Sequence, residues 1–213
     1  MSPVVCMVTD RRRFPSSDAL LRRVAAAAGA GVQLVQVREP DLAAHALLDL
    51  VRAVVAAVRG SRARVLVNDR LDVALAGGAH GVHLRGASMP APRVRALVPP
   101  GFLVGRSVHG AGEAARARAA GGLDYLLFGT VFETPSKPGV AAAGAARLGE
   151  VVVASAGVPV LGIGGVTTAE RAGALSRSGC AGLAAIGLFA DGPEAALPGT
   201  LAAVRSAWEN AAR

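Results

Sequence analysis

The sequence predicts an α/β chain folded as a single (β/α)8 TIM barrel over residues 1–213, on three observations. Short aliphatic runs recur with a spacing of about 25 residues, as strand–helix units do. Glycine stands where a helix must stop and the next strand begin. The length fits one such barrel, a fold that runs to about 200–250 residues.

The strand-like runs are Val4–Thr9, Val32–Val37, Arg64–Val67, Gly81–Leu84, Leu103–Val108, Tyr125–Phe128, Pro159–Ile163 and Leu183–Leu188. Each is short and aliphatic or β-branched, as a strand buried on both faces must be. Helical spacing of apolar residues fills the gaps: Leu20, Leu21, Val24 and Ala28, then Leu47, Leu48, Val51, Val54, Val55 and Val58. The turns Ala30-Gly31-Val32, Gly121-Gly122-Leu123 and Gly179-Cys180-Ala181 supply the left-handed residue that ends a helix. A doubly wound open sheet is the alternative. It usually places a glycine-rich turn after its first strand, whereas here that strand ends Thr9-Asp10-Arg11.

Composition narrows the class. Hydrophobic residues are 52% and charged residues 18%, enough to build a large core. Aromatics are only 3%, so that core is mainly Ala, Val, Leu and Ile. The net charge is +8, but the arginines are scattered and only Phe14 stands beside a cluster, Arg11-Arg12-Arg13. A base-stacking platform is missing, and no nucleic-acid partner is expected. The charge instead favours small anions. No apolar run is long enough to span a membrane, and the start MSPVVCMVTDRRR lacks the pattern of a secretory signal. A cytoplasmic protein with no membrane partner is expected, with Cys6 and Cys180 as buried free thiols. Lys137 is the single lysine, against 22 arginines.

The strongest local motif is Gly162-Ile163-Gly164-Gly165-Val166-Thr167-Thr168. It follows the seventh run and precedes a helix that Thr167 or Thr168 can cap. In barrels the loops after strands seven and eight often bind phosphate. Gly164 and Gly165, with Ile186 and Gly187 after the eighth run, are the expected phosphate site. Catalytic groups in this fold project from strand C-termini. Those ends carry Asp10, Gln36, Arg38, Asn68, Asp69, Arg70, His83, Ser107, His109, Thr130 and the loop Glu133–Gly139 with Thr134, Ser136 and Lys137. His109 is the general acid/base candidate, because imidazole titrates near neutrality. His83 alternates with Val82 and Leu84, which suits a core histidine as well as a catalyst. Arg38 is open to pairing with Glu39, and Asp69 to capping the next helix. Arg93 and Arg95 read as solvated helix charges.

In order, Val8-Thr9-Asp10-Arg11, Gln36-x-Arg38, Asn68-Asp69-Arg70, Gly81-Val82-His83-Leu84, Gly105-Arg106-Ser107-Val108-His109, Phe128-Gly129 through Ser136-Lys137, and Gly162-Ile163-Gly164-Gly165 resemble the thiamine-phosphate synthase / TenI family. The resemblance implies a barrel, usually oligomeric, acting in thiamine biosynthesis on a phosphorylated thiazole. In the synthase branch, Mg²⁺ holds a pyrimidine methyl pyrophosphate whose leaving group departs before thiazole nitrogen attacks. The resemblance then assigns thiazole phosphate to Gly164, Gly165 and Gly187. Gln36, Arg38, Asn68 and Lys137 face the pyrimidine pyrophosphate, Thr134 and Ser136 the thiazole, and Asp69 the magnesium.

Three departures bear on the branch. Synthases carry Gln-x-Arg-x-Lys, and the last position here is Pro40. They carry a carboxylate-bearing stretch after the fourth strand, whose Asp binds magnesium; here it reads Arg85-Gly86-Ala87-Ser88. The TenI-like thiazole tautomerase places its acid/base histidine where this chain has Thr130. The first expectation is a tautomerase, an isomerase without a cofactor, using His109 or Lys137 with Ser107 and Thr130 at the substrate. The alternatives are a Mg²⁺-dependent synthase and a non-catalytic phosphate-binding regulator.

Overall fold

The computed structural model describes residues 2–134, 139 and 141–212. Eight parallel strands close on themselves: β1 (Val4–Val8), β2 (Leu34–Val37), β3 (Arg64–Asn68), β4 (Gly81–Leu84), β5 (Leu103–Val108), β6 (Tyr125–Phe128), β7 (Val160–Ile163) and β8 (Gly182–Ala185). Closure is made by β8 pairing with β1, Val5 opposite Leu183 and Cys6 opposite Ala184. Helices α1 (Ser17–Gly29), α2 (Ala44–Ala57), α3 (Leu71–Ala76), α4 (Ala91–Arg95), α5 (Ala111–Ala120), α6 (Gly144–Ser155), α7 (Ala169–Ser176), α8 (Gly187–Ala190) and α9 (Leu197–Ala211) alternate with them.

Side chains of a strand point alternately to its two faces, so residue parity decides what enters the barrel. Cys6, Val8, Leu34, Leu66, Tyr125, Leu127, Leu161 and Ala184 form the inner cluster. Val5, Met7, Val35, Val37, Val65 and Val67 face the helices and join the larger outer core with Leu20, Val24, Leu47, Val51 and Val54. Each such buried aliphatic side chain contributes about 1.5–3 kcal/mol by leaving water. The same parity carries the chain from Leu34 to Gln36 and Arg38, and from Leu66 to Asn68. Polar residues two positions beyond an inner hydrophobe therefore reach the barrel mouth.

The structure corrects two expectations, one boundary and one side chain. The eighth strand ends at Ala185, and Gly187 opens the short helix α8, in which Leu188 and Phe189 are buried. Arg95 is not merely solvated: it donates to the Phe102 carbonyl at 2.6 Å and to Asp124 at 2.5 Å. Cys6 and Cys180 are free and buried, and burial pushes the Cys6 thiol up to about 12. Among the described residues no helix is long and apolar enough to cross a membrane.

Candidate active site

A cavity of about 600 Å³ opens at the C-terminal mouth of the barrel. Gln36, Arg38, Asn68, Ser107, His109, Thr130, Thr134, Gly164, Gly165, Ile186 and Gly187 all line it. Asp69 does not lie on its wall. Ser136 and Lys137 fall outside the described residues, so their expected roles carry no geometry.

The glycine side of the cavity is built by backbone. Gly164 has φ 110° and Gly165 φ 66°, which glycine adopts without penalty. A Cβ at Gly164 would lie 2.6 Å from Thr130 Cγ2, and one at Gly165 2.4 Å from the Glu133 carbonyl oxygen. Both glycines are therefore required by packing against the segment after β6, whatever binds in front of them. The Gly164 carbonyl accepts from Phe132 N at 3.0 Å and the Gly165 carbonyl from Arg171 Nη1 at 2.6 Å. In a trans peptide the N–H points opposite to its carbonyl. The Gly165 and Val166 amides are thus turned away from Phe132 and Arg171, and both residues are on the cavity wall. Thr168 caps α7 by accepting from Arg171 N.

Arg13 and Asp191 complete this side. Their ion pair, 2.6 Å, lines the cavity, and a Cβ on Gly187 would lie 3.7 Å from Arg13 Nη1. Sequence reasoning missed both. Arg13 stands in an arginine run, and nothing local connects it to a residue 178 positions away.

Across the mouth, Gln36 is buried, and its amide nitrogen donates to Asn68 Oδ1 at 3.1 Å. Its Oε1 is buried with no partner among the described residues. Either orientation of the carboxamide leaves one end unsatisfied, a cost that a bound ligand removes. Glu39 does not take Arg38. It accepts from Thr9 Oγ1 at 2.6 Å and from Arg11 N and Nη1 at 2.9 and 3.4 Å. Arg38 is left exposed, with no ion pair among the described residues.

Below them His83 is buried between Tyr125 Oη, 2.9 Å from Nδ1, and Ser107 Oγ, 2.8 Å from Nε2. Burial and the Arg106 guanidinium drive it down to about 3. It is a neutral hydrogen-bonded linker that fixes the Ser107 hydroxyl at the cavity wall. Gly105 makes room for this: a Cβ there would lie 2.1 Å from Tyr125 Cζ. His109 Nδ1 sits 2.8 Å from the Gly129 carbonyl, and its backbone N–H donates to Glu113 at 3.0 Å.

Asp69 behaves differently from either expectation. It does not cap α3, whose flanking residue is Arg70 with no side-chain cap. Asp69 has φ 64° and its N–H donates to the His83 carbonyl at 2.8 Å. Both carboxylate oxygens are taken. Oδ1 accepts from Ser88 Oγ, and Oδ2 from Arg85 Nε at 2.7 Å and from Arg85 Nη2. Mg²⁺ needs octahedral oxygen ligands, usually including a free carboxylate. Here that carboxylate is neutralised by a guanidinium. Among the described residues no three His, Cys, Asp or Glu are placed around a metal position. The residues do not fit a magnesium site.

Polar side chains and a glycine-backed wall converge on one mouth of a closed parallel barrel, the end at which enzymes of this fold carry their active sites. The chain belongs to the thiamine monophosphate synthase family, whose model matches residues 5–189. It is 37% identical over 213 residues to a thiamine-phosphate synthase of Roseiflexus sp. strain RS-1, covering 99% of this chain and 89% of that one. It is 43% identical over 174 residues to a thiamine-phosphate synthase of Anaeromyxobacter dehalogenans, covering 80% and 77%. A solved thiamine phosphate pyrophosphorylase from Pyrococcus furiosus superposes with TM-score 0.80 at 28% identity, over 97% of this chain and 96% of that one.

Proposed function

We propose that the protein is a thiamine-phosphate synthase, joining a hydroxymethylpyrimidine pyrophosphate to a thiazole phosphate. The observation that carries this reading is the buried, half-satisfied Gln36 carboxamide on the wall opposite the glycines. An aminopyrimidine edge sets an N–H donor beside a ring-nitrogen acceptor, and a carboxamide complements that pair. A thiazole phosphate alone, seated on Gly164, Gly165 and Gly187, gives Gln36 nothing to bind. The relatives named above as synthases support the same reading.

The isomerase expected first from the sequence is the reading that the relatives do not support. Its ring proton would have to pass through His109 or Lys137, because a threonine hydroxyl at position 130 does not titrate near neutrality. No relative described above is named an isomerase.

In the proposed reaction the bond from the pyrimidine methylene carbon to the pyrophosphate oxygen breaks. Pyrophosphate leaves with the electron pair. The thiazole nitrogen lone pair then forms the new C–N bond and becomes the positive ring nitrogen. No proton moves in these steps. Glycine-loop amides hold the thiazole phosphate, with Arg13 beside them. Gln36 and Asn68 orient the pyrimidine, and Arg38 faces the departing pyrophosphate. Cationic charge fixed where negative charge develops lowers the barrier.

The test is direct. Purified protein is given both substrates, and thiamine phosphate and released pyrophosphate are measured. Equimolar formation of both is expected. Absence of coupling, with isomerisation of a thiazole carboxylate phosphate instead, overturns the reading.

A further inference from the structure

We propose that Arg85, held by Asp69, and Arg38 together form a pyrophosphate site that works without a divalent cation. This rests on the synthase reading above and deepens it.

Three observations carry it. First, Arg85 is oriented. Nε donates to Asp69 Oδ2 at 2.7 Å and Nη2 pairs with the same oxygen, while Arg85 N donates to Ser88 Oγ at 2.7 Å. That hydroxyl closes the ring by donating to Asp69 Oδ1. The guanidinium keeps the remaining edge, Nη1, without a bond to any described residue, and Arg85 lines the cavity. Second, Asp69 is engaged on both carboxylate oxygens. A metal ion approaching it would compete with the Ser88 and Arg85 contacts and would face the guanidinium as a like charge. Third, Arg38 stands on the same wall without an ion-pair partner among the described residues, because Glu39 is spent on Thr9 and Arg11.

Arg38 and Arg85 follow β2 and β4, on either side of the Asn68 end of β3. Two planar guanidinium groups there match the paired oxygens of a pyrophosphate, to which arginine binds bidentately. The acidic lining residues do not cancel them: Asp10 pairs with Arg12 and Asp191 with Arg13. Asp69 is thus a positioning residue for Arg85.

The experiment titrates inorganic pyrophosphate into the protein by calorimetry, in EDTA and then in excess Mg²⁺. Saturable binding in EDTA is expected, tightened less than about threefold by Mg²⁺. Arg85→Gln is expected to weaken it about tenfold or more, the loss of a charge-assisted bond. Both Arg85 and Arg38 are exposed, and an unchanged melting temperature confirms the fold of Arg85→Gln. Arg38→Gln repeats the test without freeing Asp69. Binding that requires Mg²⁺, or Arg85→Gln and Arg38→Gln both binding as the wild type does, overturns the proposal. A coupling assay run beside it separates the two readings. Coupling seen only with Mg²⁺ overturns the metal-free site and leaves the synthase standing. Metal-free pyrophosphate binding with no coupling under any condition does the reverse.

Discussion

Lowering the pH from 7 to 5 should cost the fold about 2 kcal/mol through His83 alone. The unfolded imidazole takes up a proton below 6.5, whereas in the fold it stays neutral down to about 3. Between those values the unfolded chain binds more protons, so stability falls as pH falls through the window and is intact above it. One unit of pH inside the window is worth about 1.4 kcal/mol, and pH 5 lies about 1.5 units below 6.5. Desolvation drives the shift, and the ring is enclosed by Tyr125 and Ser107. Urea unfolding at pH 7 and pH 5 reads the effect as a midpoint about 0.7–1 M lower, for a slope of about 2–3 kcal/mol per M. Other groups titrate in the same range, so the comparison is with His83→Gln, which is polar but does not titrate. The variant should lose about 2 kcal/mol less than the wild type between the two pH values. Equal losses in both proteins would refute the account of His83 as a neutral buried linker.

The site makes three further predictions. Gln36→Leu should lower kcat/KM about 10- to 100-fold, mostly through KM for the pyrimidine substrate, because a bond to a buried carboxamide is lost. Its melting temperature should hold or rise, since the unpartnered Oε1 disappears; unchanged kinetics would count against the pyrimidine assignment. Gly187→Ala places a methyl 3.2 Å from Asp191 Oδ2 and Thr167 Cγ2, tight but not forbidden. KM for the thiazole phosphate should rise about tenfold or more with little loss of stability, and a normal KM would remove Gly187 from the phosphate wall. His109→Asn should retain coupling within about threefold, because no proton moves in bond formation; a loss of 10²–10⁴, as for a general acid/base, would restore His109 to a catalytic role.

Much of the barrel was legible because parallel strands buried on both faces read as unbroken aliphatic runs. Seven of them lie within a residue or two of the expected bounds. The eighth was read too long for a physical reason. Hydrophobicity does not drop where β8 stops, because Leu188 and Phe189 of α8 are buried as well. The inward-facing polar residues were legible too, since Gln36 and Asn68 keep the parity of Leu34 and Leu66. What could not be read were the partners. Glu39 lies next to Arg38 in sequence but opposite Thr9 in space, and Arg85 meets Asp69 only because β3 and β4 are neighbours. The Arg85-Gly86-Ala87-Ser88 stretch shows in sequence as a missing carboxylate. In space it is a positive group placed over the carboxylate that remains.

That exchange leaves a charge balance with a testable consequence. Set against the pattern implied by the synthase resemblance, and on the proposed metal-free site, this mouth loses a lysine at Pro40, a dication and one aspartate, and gains Arg85. The changes sum to one positive charge fewer facing the leaving pyrophosphate. Position 40 lies in the turn that follows β2, two residues beyond Arg38, and Pro40 is exposed, so the backbone tolerates a long side chain there with little strain. Pro40→Lys should therefore restore part of the missing field. An ammonium about 8 Å from the developing charge, at an effective dielectric of about 40, is worth about 1 kcal/mol. That is roughly a fivefold gain in kcat, and it should shrink as added salt screens the pair. Single-turnover release of pyrophosphate at low and high ionic strength measures it. A rate that stays flat, or a gain indifferent to salt, would show that the departing group is not held by charge at this mouth.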